Sequence, residues 1–274
     1  MEKAGRVYLE TEETIWNQIH MRILGDGYED GNSEMRQGQD PGAEFRRREA
    51  AMRLLEGILD LLFPPKCPFC GRLMEQAGIC AVCRQELPWI EDADSLREGA
   101  DGLRCAGALW YEGSAAEGLR RLKFQGASAA AEPMGALVAQ CAARWFSGEF
   151  DTVTWVPVSR KRLRQRGYDQ AELLARAACR HWETAPVRLL NKTQDNPAQS
   201  GLGEAAARRA NVLGVYEPAG EIAGKRVLLV DDICTTGATL SECARVLKDA
   251  GAASVVCAAV ALTRKHGASE KVHK

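Results

Sequence analysis

The stretch from Arg226 to Leu240, Arg-Val-Leu-Leu-Val-Asp-Asp-Ile-Cys-Thr-Thr-Gly-Ala-Thr-Leu, restricts this chain more than any other, because three local patterns meet in it. Val227 to Val230 is a branched apolar run without alternation, the pattern of a parallel strand buried on both faces. Two adjacent carboxylates, Asp231 and Asp232, end it. Thr235, Thr236, Gly237, Ala238 and Thr239 follow, all small or hydroxylated. Leu240, Cys243, Ala244 and Leu247 then fall at the spacing of one buried helix face, and Gly251 is its stop. A loop of this composition at a helix N-terminus offers N–H groups, hydroxyls and the positive dipole end to a phosphate. The carboxylates repel that phosphate and suit sugar hydroxyls or a divalent cation. The pattern predicts a ligand with a phosphate, a diol and Mg²⁺. A strand-to-helix turn with an aspartate cap is the plainer reading of the same residues.

The cysteines supply a second constraint. Cys67-Pro-Phe-Cys70 and Cys80-Ala-Val-Cys83 are two C-x-x-C turns separated by nine residues. Each turn aims two thiolates at one point, and the two together give the tetrahedral sulfur set of a structural zinc site. A redox dithiol is the rival reading, but such dithiols come as one pair on a thioredoxin-like helix, and nothing of that kind surrounds these. Four protein ligands leave no open position, so the zinc organises structure rather than performing chemistry. Its binding free energy, about 10 kcal/mol, can fold a knuckle too small to fold alone. The six remaining cysteines are scattered singly, which fits reduced thiols better than a disulfide framework.

A chain of 274 residues holds one large or two modest domains. Its longest apolar run near the C-terminus, Val255 to Leu262, is far short of the ~20 residues of a membrane span, and no signal-peptide pattern opens the chain. The expectation is a cytoplasmic protein without a membrane span. The net charge of −1 hides an asymmetry: residues 1–51 carry 7 Lys/Arg and 11 Asp/Glu, leaving 29 against 26 for the rest. The body is mildly basic, which permits anionic partners without demanding them.

Residues 1–51 show little periodicity and are expected to be disordered or a non-native extension, with Met52 as the natural start. Arg53 to Phe63 reads as a short amphipathic helix ended by Pro64-Pro65, and with the cysteine knuckle it makes a unit over 52–90. An acidic linker is expected over 91–104. Strands are expected over Cys105 to Tyr111 and Asp151 to Val156, and helices over Ser114 to Phe124, Ala129 to Phe146 and Tyr168 to Trp182. Pro157 to Gly167 is a basic loop after a strand end. Asn191 to Leu202 is a polar loop. Glu204 to Ala210 is a short segment rich in alanine and arginine. The signature strand, its helix and a last strand over Ser254 to Leu262 complete a right-handed βαβ unit, and 265–274 is a disordered tail.

The Val227–Thr239 segment resembles, over its whole length, the phosphoribosyl pyrophosphate (PRPP) signature of type I phosphoribosyltransferases. The wider arrangement is similar to the ComF family. It carries the ribbon cysteines, Tyr111-Glu112-Gly113, Leu122-Lys123-Phe124-Gln125-Gly126, Lys161-Arg162-Leu163-Arg164-Gln165-Arg166-Gly167-Tyr168, Gln170-Ala171-Glu172-Leu173-Leu174-Ala175 and the PRPP motif, over roughly residues 53 to 264. The resemblance implies an α/β type I phosphoribosyltransferase fold, a parallel Rossmann-like sheet over 105–264, behind a small N-terminal zinc ribbon. It also implies that Ser159, Arg160 and Lys161 hold pyrophosphate and that a lid containing Gln199, Arg208 and Arg209 closes over PRPP. The chain departs from the family at Asp169, where Asn is usual, which adds a negative charge beside the expected anion site. A second cysteine pair, common in relatives, is reduced to Cys105.

The function expected is phosphoribosyl transfer. Asp231 and Asp232 hold the ribose hydroxyls as the catalytic pair, Thr235 to Thr239 hold the 5′-phosphate, and Mg²⁺ accompanies PRPP. The rival is a non-catalytic PRPP sensor or single-stranded-DNA adaptor of a competence machinery, alongside a helicase-like partner. In that reading Arg120, Arg121, Lys123 and the basic loop track the strand, and Phe69, Trp89 or Trp110 stack its bases.

Overall fold

The computed structural model describes residues 65–99, 101–124, 130–194 and 214–264. The N-terminal extension, the helix over 53–63, the tail, and Gln199, Arg208 and Arg209 lie outside the described residues. From Lys66 onward the chain is one compact unit.

The elements run α1 (Ala81–Glu86), a 3-10 turn (Asp92–Asp94), β1 (Leu96–Glu98), β2 (Arg104–Trp110), α2 (Gly113–Phe124), α3 (Ala131–Phe146) and β3 (Thr152–Trp155). They continue with α4 (Arg160–Arg166), α5 (Gln170–Arg180), β4 (Leu190–Lys192), β5 (Tyr216–Pro218), β6 (Arg226–Cys234), α6 (Ala238–Asp249) and β7 (Ser254–Leu262). The main sheet has the order β1-β2-β7-β6-β3, parallel except for β1, which pairs antiparallel with β2 at the edge. This is an α/β fold with a mostly parallel sheet, and the two longest strands show why. Val227 to Val230 and Val255 to Leu262 are buried on both faces, which requires helices or loops on both sides.

One face is covered by α2, α3 and α5 around Leu119, Met134, Leu174 and Val260. Here α3 and α5 come unusually close, since a Cβ on Gly135 would sit 2.4 Å from that of Ala177. The other face is covered by α6 and the antiparallel β4–β5 pair around Leu189, Leu229, Leu240 and Leu247.

Three expectations change. The segment 91–104 is not a plain linker, because Leu96–Glu98 joins the sheet as β1. The segment from Asn191 begins in a strand rather than a loop, since β4 pairs with β5. The basic run is a helix: the Ser159 hydroxyl accepts from the Arg162 N–H at its start, and Gly167 in the left-handed region (φ +79°) ends it.

Candidate active site and metal centre

The four ribbon thiols lie within 4.8 Å of one another, and Cys70 Sγ is 3.7 Å from Cys80 Sγ. A tetrahedron with Zn–S of about 2.3 Å has edges of about 3.8 Å, so these sulfurs fit zinc. Burial pushes the Cys67 thiol up, but N–H groups of Cys80, Cys70 and Phe69 outweigh it and bring it down to about 6, suited to a thiolate ligand. Burial and the neighbouring thiols push Cys83 up, as expected of sulfurs crowded for a cation. None of the ten cysteines is in a disulfide.

The ribbon is fastened to α2. Phe69, between two of the ligands, is fully buried, and its carbonyl accepts from Arg121 Nη2 at 2.8 Å. Gly118 leaves no room for a side chain: a Cβ there would meet Phe69 at 2.8 Å and the Pro68 carbonyl at 2.9 Å. Two turns of α2 therefore rest on the knuckle, and the far end of the same helix carries Lys123. Lys123 Nζ reaches Asp232 Oδ2 at 2.6 Å. Asp232 is 3% exposed, and this oxygen has no other donor among the described residues. Burial lowers the Lys123 pKa, but the Asp232 carboxylate outweighs it and holds the ammonium charged.

Asp231, half-buried at the same strand end, accepts from the Asp232 N–H at 2.8 Å. Burial first, and the neighbouring Asp232 carboxylate second, push its carboxyl well above the usual range. After Cys234 the chain turns through Thr235, Thr236 and Gly237 (φ +81°) into α6, whose N-terminus no side chain of the Gly237 cap closes. The loop is held from behind. Arg97 of β1 donates to the Thr235 carbonyl at 2.8 Å and to the Thr263 carbonyl, and the Thr263 hydroxyl donates to Thr235 O at 3.2 Å. At the start of α6 the Ala238 N–H donates to Thr236 Oγ1 at 3.4 Å.

The basic segment enters beside these acids because β3 pairs with β6: Trp155 opposes Val230, one residue before Asp231. Ser159 is buried as the α4 cap, whereas Arg160, Lys161 and Arg164 are exposed, with no carboxylate in ion-pair reach among the described residues. Asp169 has a structural task. Its Oδ2 accepts from the Val158 N–H at 2.9 Å, and its Oδ1 accepts from the N–H groups of Ala171 (3.1 Å) and Glu172 (3.3 Å). It ties the end of β3 to the start of α5, so its charge is used inside the fold and not spent against an anion.

The fold thus gathers Asp231, Asp232, Thr235 to Thr239 and the basic segment on elements that adjoin at one edge of the sheet. It does not offer the expected stacking rings: Phe69 is buried, and Trp89 and Trp110 are half-buried, the first donating to Arg84 O and the second lying under Arg264. Sequence reasoning missed Arg97, and gave Lys123 to DNA although it faces Asp232. The signal for Lys123 was its place at the end of a helix following the first parallel strand. Arg97 lay in a stretch too short and polar to read as a strand.

Residues 164–274 match the phosphoribosyl transferase domain, and residues 58–94 match the double zinc ribbon domain. Competence protein ComFC of Bacillus subtilis (strain 168) is 27% identical over 192 residues, 69% of this chain and 74% of that protein. Competence protein F of Haemophilus influenzae is 36% identical over 101 residues, and DNA utilization protein YhgH of Escherichia coli (strain K12) is 30% identical over 109. These two matches span 43% and 46% of the relatives' lengths, and 35% and 38% of this chain. Among solved structures, phosphoribosylpyrophosphate synthetase from Mycobacterium smegmatis is similar over 47% of this chain and 33% of that one (19% identity, TM-score 0.30). Orotate phosphoribosyltransferase from Mycobacterium tuberculosis is similar over 65% and 77% (17% identity, TM-score 0.29). The chain thus matches a zinc ribbon domain ahead of a phosphoribosyl transferase domain, and competence proteins are among the proteins it is similar to.

Proposed function

We propose that the site at the end of β6 binds PRPP with Mg²⁺ and transfers its phosphoribosyl group with release of pyrophosphate. One observation carries this reading: an acidic pair near the end of parallel strand β6, Asp232 buried and Asp231 half-buried, stands two residues before a hydroxyl-rich loop at the N-terminus of α6. Thr235 to Thr239 take the 5′-phosphate through N–H groups and hydroxyls, and Asp231 and Asp232 take the ribose hydroxyls. Ser159, Arg160 and Lys161 receive the departing pyrophosphate, whose charge the exposed guanidinium and ammonium groups match. Gln199, Arg208 and Arg209 belong to the segment that would cover the ligand. Carboxylate and phosphate oxygens are the ligands Mg²⁺ prefers, so Asp231 and Asp232 are the residues that would help hold it; it neutralises pyrophosphate charge when bound. In the transfer, the C1–O bond to pyrophosphate breaks, a lone pair of the acceptor forms the new bond to C1, and the acceptor loses a proton. The acidic pair screens the positive charge that develops on the ribose.

The relatives' names point the role of this chain toward DNA uptake or use, and the reduced thiols and a PRPP supply fit the cytoplasm. A second reading keeps the ligand site without turnover, as a PRPP sensor or single-stranded-DNA adaptor working with a helicase-like protein. Arg160, Lys161 and Arg164, exposed and without a carboxylate in ion-pair reach among the described residues, favour it equally, since a strand and a pyrophosphate are both polyanions. No helix among the described residues is long and apolar enough to cross a membrane. Calorimetry with Mg²⁺-PRPP and a pyrophosphate-release assay over bases, amines and oligonucleotides separate the readings, with Asp231→Asn/Asp232→Asn as control. Release above the control establishes transfer, binding without release establishes the sensor, and no binding by the wild type overturns both.

A further inference from the structure

We propose that Phe124 and Arg166 form a stacking platform for a planar nucleobase at the mouth of this site. Phe124 is 69% exposed and is the one exposed aromatic ring among the described residues. It is the last residue of α2, off the face formed by Ala115, Leu119 and Leu122 that packs into the core. Nothing in the fold asks for an aromatic there. Yet the ring is not loose: the Arg166 guanidinium lies 4.8 Å from its centroid, and Arg166 Nη1 donates to Gln170 Oε1 at 2.8 Å. The Tyr168 hydroxyl, two residues on from Arg166, donates to the carbonyl of Leu122, two residues before the ring. Phenyl and guanidinium are therefore fixed against each other before any ligand arrives.

Their location gives the platform a purpose. The residue before Phe124 is Lys123, whose ammonium is 2.6 Å from Asp232, so the end of α2 that carries the ring adjoins the acidic pair. Arg166 is near enough for the Asp232 charge to offset part of the burial that lowers its own pKa. A phenyl ring backed by a guanidinium is a flat, cationic surface on which any base stacks, whatever its edge pattern. The exposed cations of α4 beside it suit phosphates that travel with a base. The stacking stands on Phe124 and Arg166 alone; its role as the seat of the phosphoribosyl acceptor rests on the reading above.

The test uses the full-length, zinc-loaded protein and measures anisotropy with a fluorescein-labelled oligothymidylate, alongside calorimetry with Mg²⁺-PRPP. Phe124→Ala is expected to weaken oligonucleotide binding roughly tenfold, with PRPP affinity unchanged. Phe124→Trp restores the binding, and Leu73→Ala, at an exposed ribbon position, changes neither. Free adenine or uracil competing through Phe124 assigns the base to a soluble molecule; a strand binding through Phe124 without such competition assigns it to nucleic acid, and both outcomes support the platform. An abasic strand that binds as tightly as the normal one, unchanged affinity in Phe124→Ala, or a wild type that binds neither base nor strand overturns it. Phe124-dependent base binding in a protein that ignores PRPP leaves the platform standing and sinks the phosphoribosyl reading alone.

Discussion

Lys123 Nζ sits 2.6 Å from Asp232 Oδ2, and this contact joins the helix that rests on the zinc ribbon to the strand that carries the signature acids. Asp232 is the more deeply buried partner, its side chain 5% exposed against 22% for Lys123. Removing the ammonium strands a carboxylate away from water, which costs more than the pair contributes. Lys123→Met is expected to lose about 3 kcal/mol of unfolding free energy in urea, and Asp232→Asn in the same chain to recover most of it. Additive losses in that double-mutant cycle would show that the two groups do not meet in solution.

Metal removal should be felt at the ligand site. The ribbon holds α2 through Phe69, Gly118 and Arg121, and α2 places Lys123 against Asp232. Stripping zinc with a chelator, or replacing Cys67 or Cys83 with Ser, is expected to release one zinc per chain in a colorimetric assay and to lower PRPP affinity. Gly118→Leu should do the same with the cysteines intact, since its side chain would displace Phe69. PRPP affinity that survives zinc loss would mean that the ribbon and the site are energetically separate.

Arg97 acts on the phosphate loop from behind, and its guanidinium contacts the carbonyls of Thr235 and Thr263 and no carboxylate among the described residues. Arg97→Ala should raise the dissociation constant for PRPP by about tenfold, the worth of one or two hydrogen bonds from a charged donor, with a smaller change in melting temperature than Lys123→Met. Arg97→Lys keeps the charge but loses the fork, so it should recover only part of the affinity. An equal loss of affinity for an unrelated anion such as sulfate at other sites would mark the effect as general charge rather than loop geometry.

The parts of the fold that were legible in the sequence are those written in long local patterns. The apolar runs of β6 and β7, the periodic faces of α2, α3 and α6, and the paired C-x-x-C turns each carry their own signal. What was missed depends on partners distant in sequence. Leu96–Glu98, Leu190–Lys192 and Tyr216–Pro218 are strands only because β2 or each other supplies the ladder. The basic helix was misread because five cations in seven residues hid an ordinary cap pair, Ser159 and Gly167. Asp169 likewise stands three residues before Glu172, a capping-box spacing, so its role in starting α5 was readable without any ligand. Phe124 stands in the Leu122–Gly126 stretch that carries the resemblance, but its exposure follows from where α2 ends, which no periodicity in the sequence states.

Glu242 holds the chain just ahead of β5. Its Oε1 accepts from the Gly214 N–H at 2.9 Å, and Arg245 donates to both of its oxygens at 2.8 and 2.9 Å. The carboxylate is buried, yet the Arg245 guanidinium outweighs the burial, with help from the Gly214 N–H, and holds its pKa below the usual 4.5. A depressed folded value means that the unfolded chain binds the proton first as pH falls. The contribution is therefore complete above 4.5 and is lost as the pH drops below it through the folded value. Glu242→Gln should lower stability near neutral pH and leave a shallower loss between pH 5 and 3 than the wild type shows in acid titration of the urea midpoint. The same variant should loosen Gly214, seen as faster amide exchange there while the β6 amides stay protected. Parallel acid profiles for the two proteins would mean that Glu242 is not ionised in this contact.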